Sequence, residues 1–91
     1  TVADALTAPF AGRYPIEICS LLGVEVVLVS DDEIREAFRF LYSRAKLAAE
    51  PGGATAVAAV RAGKVEGECI VSVVSGGNVS TDIASAILAG R

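Results

Sequence analysis

The stretch of this sequence best equipped for chemistry runs Cys69-Ile-Val-Ser-Val-Val-Ser-Gly-Gly-Asn78 and continues into Val79-Ser80-Thr81-Asp82. It reads as an apolar strand that stops at a Ser75-Gly76-Gly77-Asn78 loop and then enters a helix. Strands apolar on both faces belong in the middle of sheets covered by helices, and such sheets bind ligands beyond the carboxyl ends of their strands. Glycines let backbone approach a ligand closely and tolerate positive φ, while Ser75 and Asn78 add a hydroxyl and an amide. The loop is therefore the candidate for contact with a small molecule; its plainer reading is a strand-to-helix connection. Glu50 is the second unusual group. It lies between Ala48-Ala49 and Pro51-Gly52-Gly53, where an apolar residue would pack, and this points to partial burial with a partner.

Other chemistries are excluded or have simpler explanations. The chain has no histidine, which rules out a Ser-His-Asp arrangement. Neither a Gly-x-x-x-x-Gly-Lys phosphate loop nor a Gly-x-Gly-x-x-Gly fingerprint occurs. Cys19 and Cys69 stand far apart in apolar contexts, too few soft ligands for zinc, and read as buried reduced thiols of a cytosolic protein. Asp31, Asp32 and Glu33 are better explained as negative charge at a helix start than as metal ligands, and no metal site is expected. Asp4 is a ligand or a turn residue. Lys46 fits a helix end, where a cation complements the dipole.

The elements that must hold these groups follow from periodicity. Residues 1–14 show no sustained period. Pro15 suits the first turn of a helix that continues to about Gly23. Val24–Val29 is apolar and β-branched apart from Glu25 and reads as a strand. Ser30 with Glu33 forms a capping box for the clearest helix, whose stripe is Ile34, Ala37, Phe38, Leu41, Ala45 and Ala48; Glu50-Pro51 breaks it. A small-faced helix is expected over 54–62, closed by Gly63. A strand follows over 68–74, then a helix capped by Ser80 or Thr81 and running to about Ala89. The expected fold class is α/β, with the strands at 24–29 and 68–74 parallel in one sheet and joined by a right-handed crossover.

Composition narrows the setting. The 91 residues are 53% hydrophobic with mean hydropathy +0.55, rich for one small domain. No apolar run approaches the roughly 18 residues of a membrane span, and no signal-peptide pattern is present, so a cytoplasmic setting is expected. A net charge of −3 argues against nucleic acid, whose binding rests on basic side chains. The apolar surplus, the lack of any methionine and an opening in mid-pattern together suggest a piece of a longer polypeptide. That piece would bury its surplus against the rest of its own domain or a partner.

Four segments, in order, resemble the C-terminal part of the threonine dehydratase and serine racemase family of pyridoxal-phosphate enzymes, fold type II. They are Thr1-Val2-Ala3-Asp4, Glu25-Val-Val-Leu-Val-Ser30 leading into Asp32-Glu33-Ile34, Arg44-Ala-Lys-Leu-Ala-Ala-Glu-Pro51, and Val74-Ser-Gly-Gly-Asn-Val79. Ala8-Pro-Phe-Ala-Gly12 is similar to bacterial threonine or serine dehydratases. The chain departs from the family pattern at Ala5, where glycine is usual, and at Gly52-Gly53.

The resemblance implies a three-layer parallel-sheet fragment of the family's larger domain. Residues 1–91 would form the C-terminal portion of a lyase catalytic domain that converts L-threonine or L-serine to a 2-oxo acid and ammonia. Ser75 would hydrogen-bond the pyridine nitrogen of pyridoxal 5'-phosphate, Gly76 and Gly77 would lie against the ring, Asn78 would shape the loop, and Glu50 would sit near the pocket. The Schiff-base lysine, the phosphate loop and the family's metal ligands precede Thr1, so no catalytic residue is expected in this segment, which alone would be inactive. The implied partners are an amino-acid substrate, the remainder of the catalytic domain and further copies in a homo-oligomer, with no nucleic acid and no membrane. In nucleotide-regulated racemases the positions of Lys46 and Asn78 contact the nucleotide. Serine racemisation is the alternative within the family. A stand-alone non-catalytic α/β module, binding an anion at Ser75–Asn78 or serving as an assembly surface, is the alternative outside it.

Overall fold

The structure, a computed structural model, describes residues 1–91. Four α-helices carry it: α1 (Arg13–Leu21), α2 (Asp31–Phe40), α3 (Thr55–Arg61) and α4 (Thr81–Leu88). Two 3-10 turns, Asp4–Leu6 and Gly52–Ala54, and a π turn, Leu41–Ala45, complete the regular structure.

The helix α2 forms as its sequence dictates. The Ser30 hydroxyl accepts from the Glu33 N–H at 3.2 Å, and the Glu33 carboxylate accepts from the Ser30 N–H at 2.7 Å, so two otherwise orphaned donors are satisfied reciprocally. Ile34, Ala37, Phe38 and Leu41 are buried and gather Ala3, Ala49, Ala54, Ala58 and Ile87 around them into one core. This is the meeting point of α2, α3, α4 and the amino-terminal segment. Alanines dominate the facing surfaces, which lets α3 approach α2 closely.

That helix ends sooner than its apolar stripe suggests. After Phe40 the chain widens into the π turn, and Lys46 takes a left-handed conformation with φ 59°. The Leu47 N–H then donates to the Leu41 carbonyl at 2.9 Å, a closing bond usually made possible by glycine. Ser43 contributes, since its hydroxyl donates to the Arg39 carbonyl at 2.6 Å and competes with the helical ladder. Ala45 and Ala48 are consequently exposed. The stripe stops at Leu41, and the break at Glu50-Pro51 falls nine residues too late.

The expected α/β architecture is not what forms. No strand is present, and the three-layer parallel sheet is absent. A strand exists only through ladder bonds to a neighbour, and no backbone hydrogen bond joins 24–29 to 68–74. Both segments keep a period-two exposure instead. Val27, Val29, Ser72 and Val74 are partly covered, while Val26, Leu28, Val71 and Val73 are 73–86% exposed. Alternation of this kind is what an extended chain shows, here with nothing paired to it.

The apolar surplus thus stays at the surface. Only 12 of 91 residues are buried, and α1 buries none. The cysteines, expected inside, are both exposed, because they lie on α1 and on the unpaired 68–74 segment. The molecule is a slab of 41 × 34 × 18 Å with a radius of gyration of 13.9 Å, against about 12 Å for a compact domain of this length. No helix is long and apolar enough to cross a membrane.

Two polar ties fasten extended chain to α2. The Thr1 hydroxyl and the Val2 N–H both donate to the Asp31 carboxylate, so Asp31 anchors the amino-terminal segment. The Thr1 hydrogen bond is the main cause holding the Asp31 pKa below its ordinary 3.8. Lys64 reaches the Leu28 carbonyl at 2.9 Å and the Glu33 carboxylate at 2.8 Å. Its hydrogen bond, followed by the Ser30 N–H, holds Glu33 below its ordinary 4.5.

A carboxylate whose pKa is lowered by folding stabilises the fold above its unfolded value and loses that contribution as pH falls through the folded one. In the full-length protein, Lys64→Met therefore unfolds more easily than wild type at pH 6–7. The gap between the two urea midpoints closes as the pH drops below 4.5, the ordinary Glu33 value. A gap that stays constant on acidification shows that the tie is not ionic.

Candidate functional site

The loop Ser75–Asn78 lies on the turn 48–53, and Glu50 joins them twice. Its backbone N–H donates to the Gly76 carbonyl at 3.1 Å, and its carboxylate accepts from the Asn78 N–H at 3.0 Å. A charge-assisted bond to backbone is stronger than a neutral one, and Glu50 is only partly exposed. The glutamate that looked misplaced among small apolar residues is the clamp of the loop.

Three glycines make this closeness possible, each in its own way. A Cβ on Gly76 would sit 2.7 Å from the Glu50 carboxyl carbon, and Gly76 has φ +82°, a region open to glycine. A Cβ on Gly77 would lie 3.1 Å from the Ala48 carbonyl oxygen. At Gly53 a Cβ would overlap the Ser75 carbonyl oxygen outright and lie 3.0 Å from its carbon. In each case the space that a side chain would need is taken by the chain itself. The glycines admit the Glu50 carboxylate and the turn beneath the loop.

The expected site residues Glu50, Ser75, Gly76, Gly77 and Asn78 are therefore brought together. Ser75 through Asn78 are exposed, so the loop offers a hydroxyl, an amide and side-chain-free backbone outward while its inner side is packed. Sequence reasoning marked Gly52-Gly53 as a departure from the family pattern but gave Gly53 no role, and it is Gly53 that seats Ser75. A second glycine directly after Pro51-Gly52 was the available signal. Ala5, which stands where glycine was expected, is also local: a Cβ on Gly52 would lie 3.4 Å from the Ala5 Cβ.

The remaining candidates lie apart. Asp4 is exposed in the 3-10 turn, and its backbone carbonyl accepts from the Thr7 hydroxyl at 2.6 Å. Lys46 donates to the Ser43 carbonyl at 2.8 Å, the helix-end role its position suggested. With Tyr42, Ser43 and Ala48 it lines an open cleft of about 590 Å³. Lys64 is engaged by Leu28 and Glu33. No group of three or more His, Cys, Asp or Glu is placed to hold a metal ion.

The profile of the pyridoxal-phosphate dependent enzyme family matches residues 1–76. The chain belongs to that family. It is similar to the catabolic L-threonine dehydratase TdcB of Staphylococcus aureus (strain N315), with 37% identity over 93 residues that cover 97% of this chain and 27% of that protein. It is also similar to the phenylserine dehydratase of Ralstonia pickettii, with 46% identity over 63 residues that cover 69% of this chain and 19% of that protein. The chain thus spans about a quarter or less of the length of these curated relatives. No solved structure gives a significant match.

The family's cofactor is pyridoxal phosphate, and the loop's donor set suits part of it. An exposed serine hydroxyl can donate to an aromatic ring nitrogen, and glycine backbone can lie flat beside a ring. The cofactor's other needs, an amine for covalent attachment and a cradle for its phosphate, find no counterpart at this loop. Both lysines of the chain are committed to the contacts given above.

The glycine geometry yields a paired test in the full-length protein. Gly53→Ala forces a Cβ into backbone and lowers stability by about 1–3 kcal/mol, the usual cost of overpacking. Gly52→Ala meets only ordinary contacts and changes the urea midpoint little. Equal effects of the two would mean that Gly53 does not seat Ser75.

Proposed function

We propose that the protein containing this chain is a pyridoxal-phosphate dependent ammonia-lyase. It acts on a β-hydroxy amino acid, L-threonine or L-serine, and releases a 2-oxo acid and ammonia. Residues 1–91 are the C-terminal portion of its catalytic domain, and the missing reactive lysine comes from the remainder. The observation that carries the reading is the loop Ser75–Asn78, clamped by Glu50 and presented outward at the segment that resembles the dehydratases. The identities with a threonine dehydratase and a phenylserine dehydratase support a hydroxy amino acid as the substrate class. The exposed apolar residues of α1 and of 24–28 support the remainder of the domain as a partner.

When bound, the cofactor supplies an electron sink for the carbanion left by loss of the α-proton. The residues of this chain set how strong that sink is. The Ser75 hydroxyl would donate a neutral hydrogen bond to the ring nitrogen and, unlike an aspartate, would not hold a proton there. A neutral donor at that position would leave the ring a milder electron sink than a charged one would, which fits elimination from a β-hydroxy amino acid. Glu50 fixes the loop backbone through Gly76 and Asn78, so that the hydroxyl is held in place before substrate arrives.

The test uses the full-length enzyme and follows formation of 2-oxo acid together with the absorbance of bound cofactor. Ser75→Ala keeps the cofactor and loses turnover by tenfold or more, which corresponds to about 1.4 kcal/mol of barrier. Ser75→Asp shifts the balance of reactions, since a carboxylate keeps the ring nitrogen protonated. Unchanged turnover and spectra in both variants would place Ser75 away from the ring nitrogen and overturn the reading.

A further inference from the structure

Five of the eight basic residues of this chain have no carboxylate partner. The ion pairs are Arg13 with Glu17, Arg35 with Asp32 and Lys64 with Glu33, which leaves Arg39, Arg44, Lys46, Arg61 and Arg91. In a chain with a net charge of −3, acids are in excess, yet three of these five cations meet in one place. Arg39, Arg44 and Arg61 line a cleft of about 380 Å³ together with Glu36, Phe40 and Ser43. It lies on the side of α2 that faces the carboxyl end of α3, away from the Ser75–Asn78 loop.

Two of the three guanidinium groups are held in place by the fold. The Arg39 Nε donates to the Ile87 carbonyl at 2.7 Å, which fixes the plane of the group and leaves its two terminal nitrogens for another acceptor. The Arg61 guanidinium stacks on the Phe40 ring at 4.3 Å from its centroid, a contact that orients the cation and leaves its in-plane donors unused. Arg44 projects from the π turn, whose widened course carries it onto the same cleft. Arginine forks held in this way recognise phosphate or carboxylate oxygens in pairs and lose little freedom on binding.

We infer that this cleft binds a phosphate group borne by a small molecule. Three guanidinium charges against the one Glu36 carboxylate leave an excess of two, which a phosphate monoester, carrying about −1.5 to −2 at pH 7, balances. A monocarboxylate would leave one cation unmatched. The cleft is shallow and wide open to solvent, so it offers a charged face for one phosphate group and does not enclose a whole ligand. This site is independent of the proposed elimination chemistry: none of its residues lies in the loop or touches Glu50.

Isothermal titration of the full-length, cofactor-loaded enzyme with inorganic phosphate tests it, because the cofactor's own phosphate site is then already filled. Wild type shows saturable binding at one phosphate per chain. The Arg44→Ala/Arg61→Ala double variant binds at least tenfold more weakly, with its turnover unchanged. Arg13→Ala, which removes an exposed arginine on α1, binds as wild type. Malonate, a dicarboxylate, binds more weakly than phosphate. The inference is overturned by any of four results: no saturable binding, undiminished binding in the double variant, an equal loss in Arg13→Ala, or malonate binding as tightly as phosphate. All four are readings of affinity and stand whether or not the enzyme proves to be a dehydratase.

Discussion

The double attachment of Glu50 to the Ser75–Asn78 loop is the constraint around which this chain is organised. Glu50 is followed by buried Pro51 and preceded by buried Ala49, so its backbone is anchored in the core that α2, α3 and α4 share. Through the Gly76 carbonyl and the Asn78 N–H that rigidity is passed to a loop with little core of its own. Only Val74 before the loop and Val79 after it pack on the core. Without the clamp, four exposed residues between two partly buried valines would have no fixed course. A buried or half-buried carboxylate is costly unless hydrogen-bonded, and here the loop backbone satisfies it. Each side therefore needs the other.

The electrostatic ties at the opposite end of α2 follow the same logic. Asp31 and Glu33 look like two members of one acidic helix start, and the sequence gives them the same role. The structure separates them. Asp31 holds the Thr1–Val2 segment and so brings Ala3 into the core. Glu33 closes the capping box and also receives Lys64 from beyond α3. Asp32 pairs only with Arg35 on its own helix at 3.1 Å and is 94% exposed at the side chain, a contact worth little in water. One helix N-terminus thus serves as the junction for three chain segments.

The parts of this structure that were legible beforehand are those governed by local chemistry. The capping box at Ser30 and Glu33 needs only residues three apart, and the stripe Ile34, Ala37, Phe38, Leu41 needs only one helix. Glu50 was legible as an anomaly, a charge where packing would favour an apolar side chain. What failed depends on distant chain. The apolar, β-branched runs at 24–29 and 68–74 carry strand propensity, but propensity does not supply a neighbour, and neither run bonds to the other. The burial expected for Cys19 and Cys69 failed for the same reason, since it assumed those elements were covered. The early end of α2 was hidden because Lys46 is an unusual residue for a left-handed position, and Ser43 gives no sequence signal that its hydroxyl will turn inward to Arg39.

The glycines of the loop carry a further point about how site geometry is built. Read along the chain, Ser-Gly-Gly-Asn suggests backbone opened toward a ligand. In space, the side on which Cβ atoms would project faces Glu50 and Ala48, so the first use of these glycines is inward. That inward packing is what turns the exposed side of the loop into a defined surface. With Gly53 under the Ser75 carbonyl and Glu50 under Gly76, the Ser75 peptide is held from below and its hydroxyl is left at the surface. A larger residue at position 53 or 76 would lift the loop away from Glu50 before it could obstruct any ligand. The requirement for glycine at these two positions is therefore set by the folding of the site, and the chemistry proposed for Ser75 depends on it.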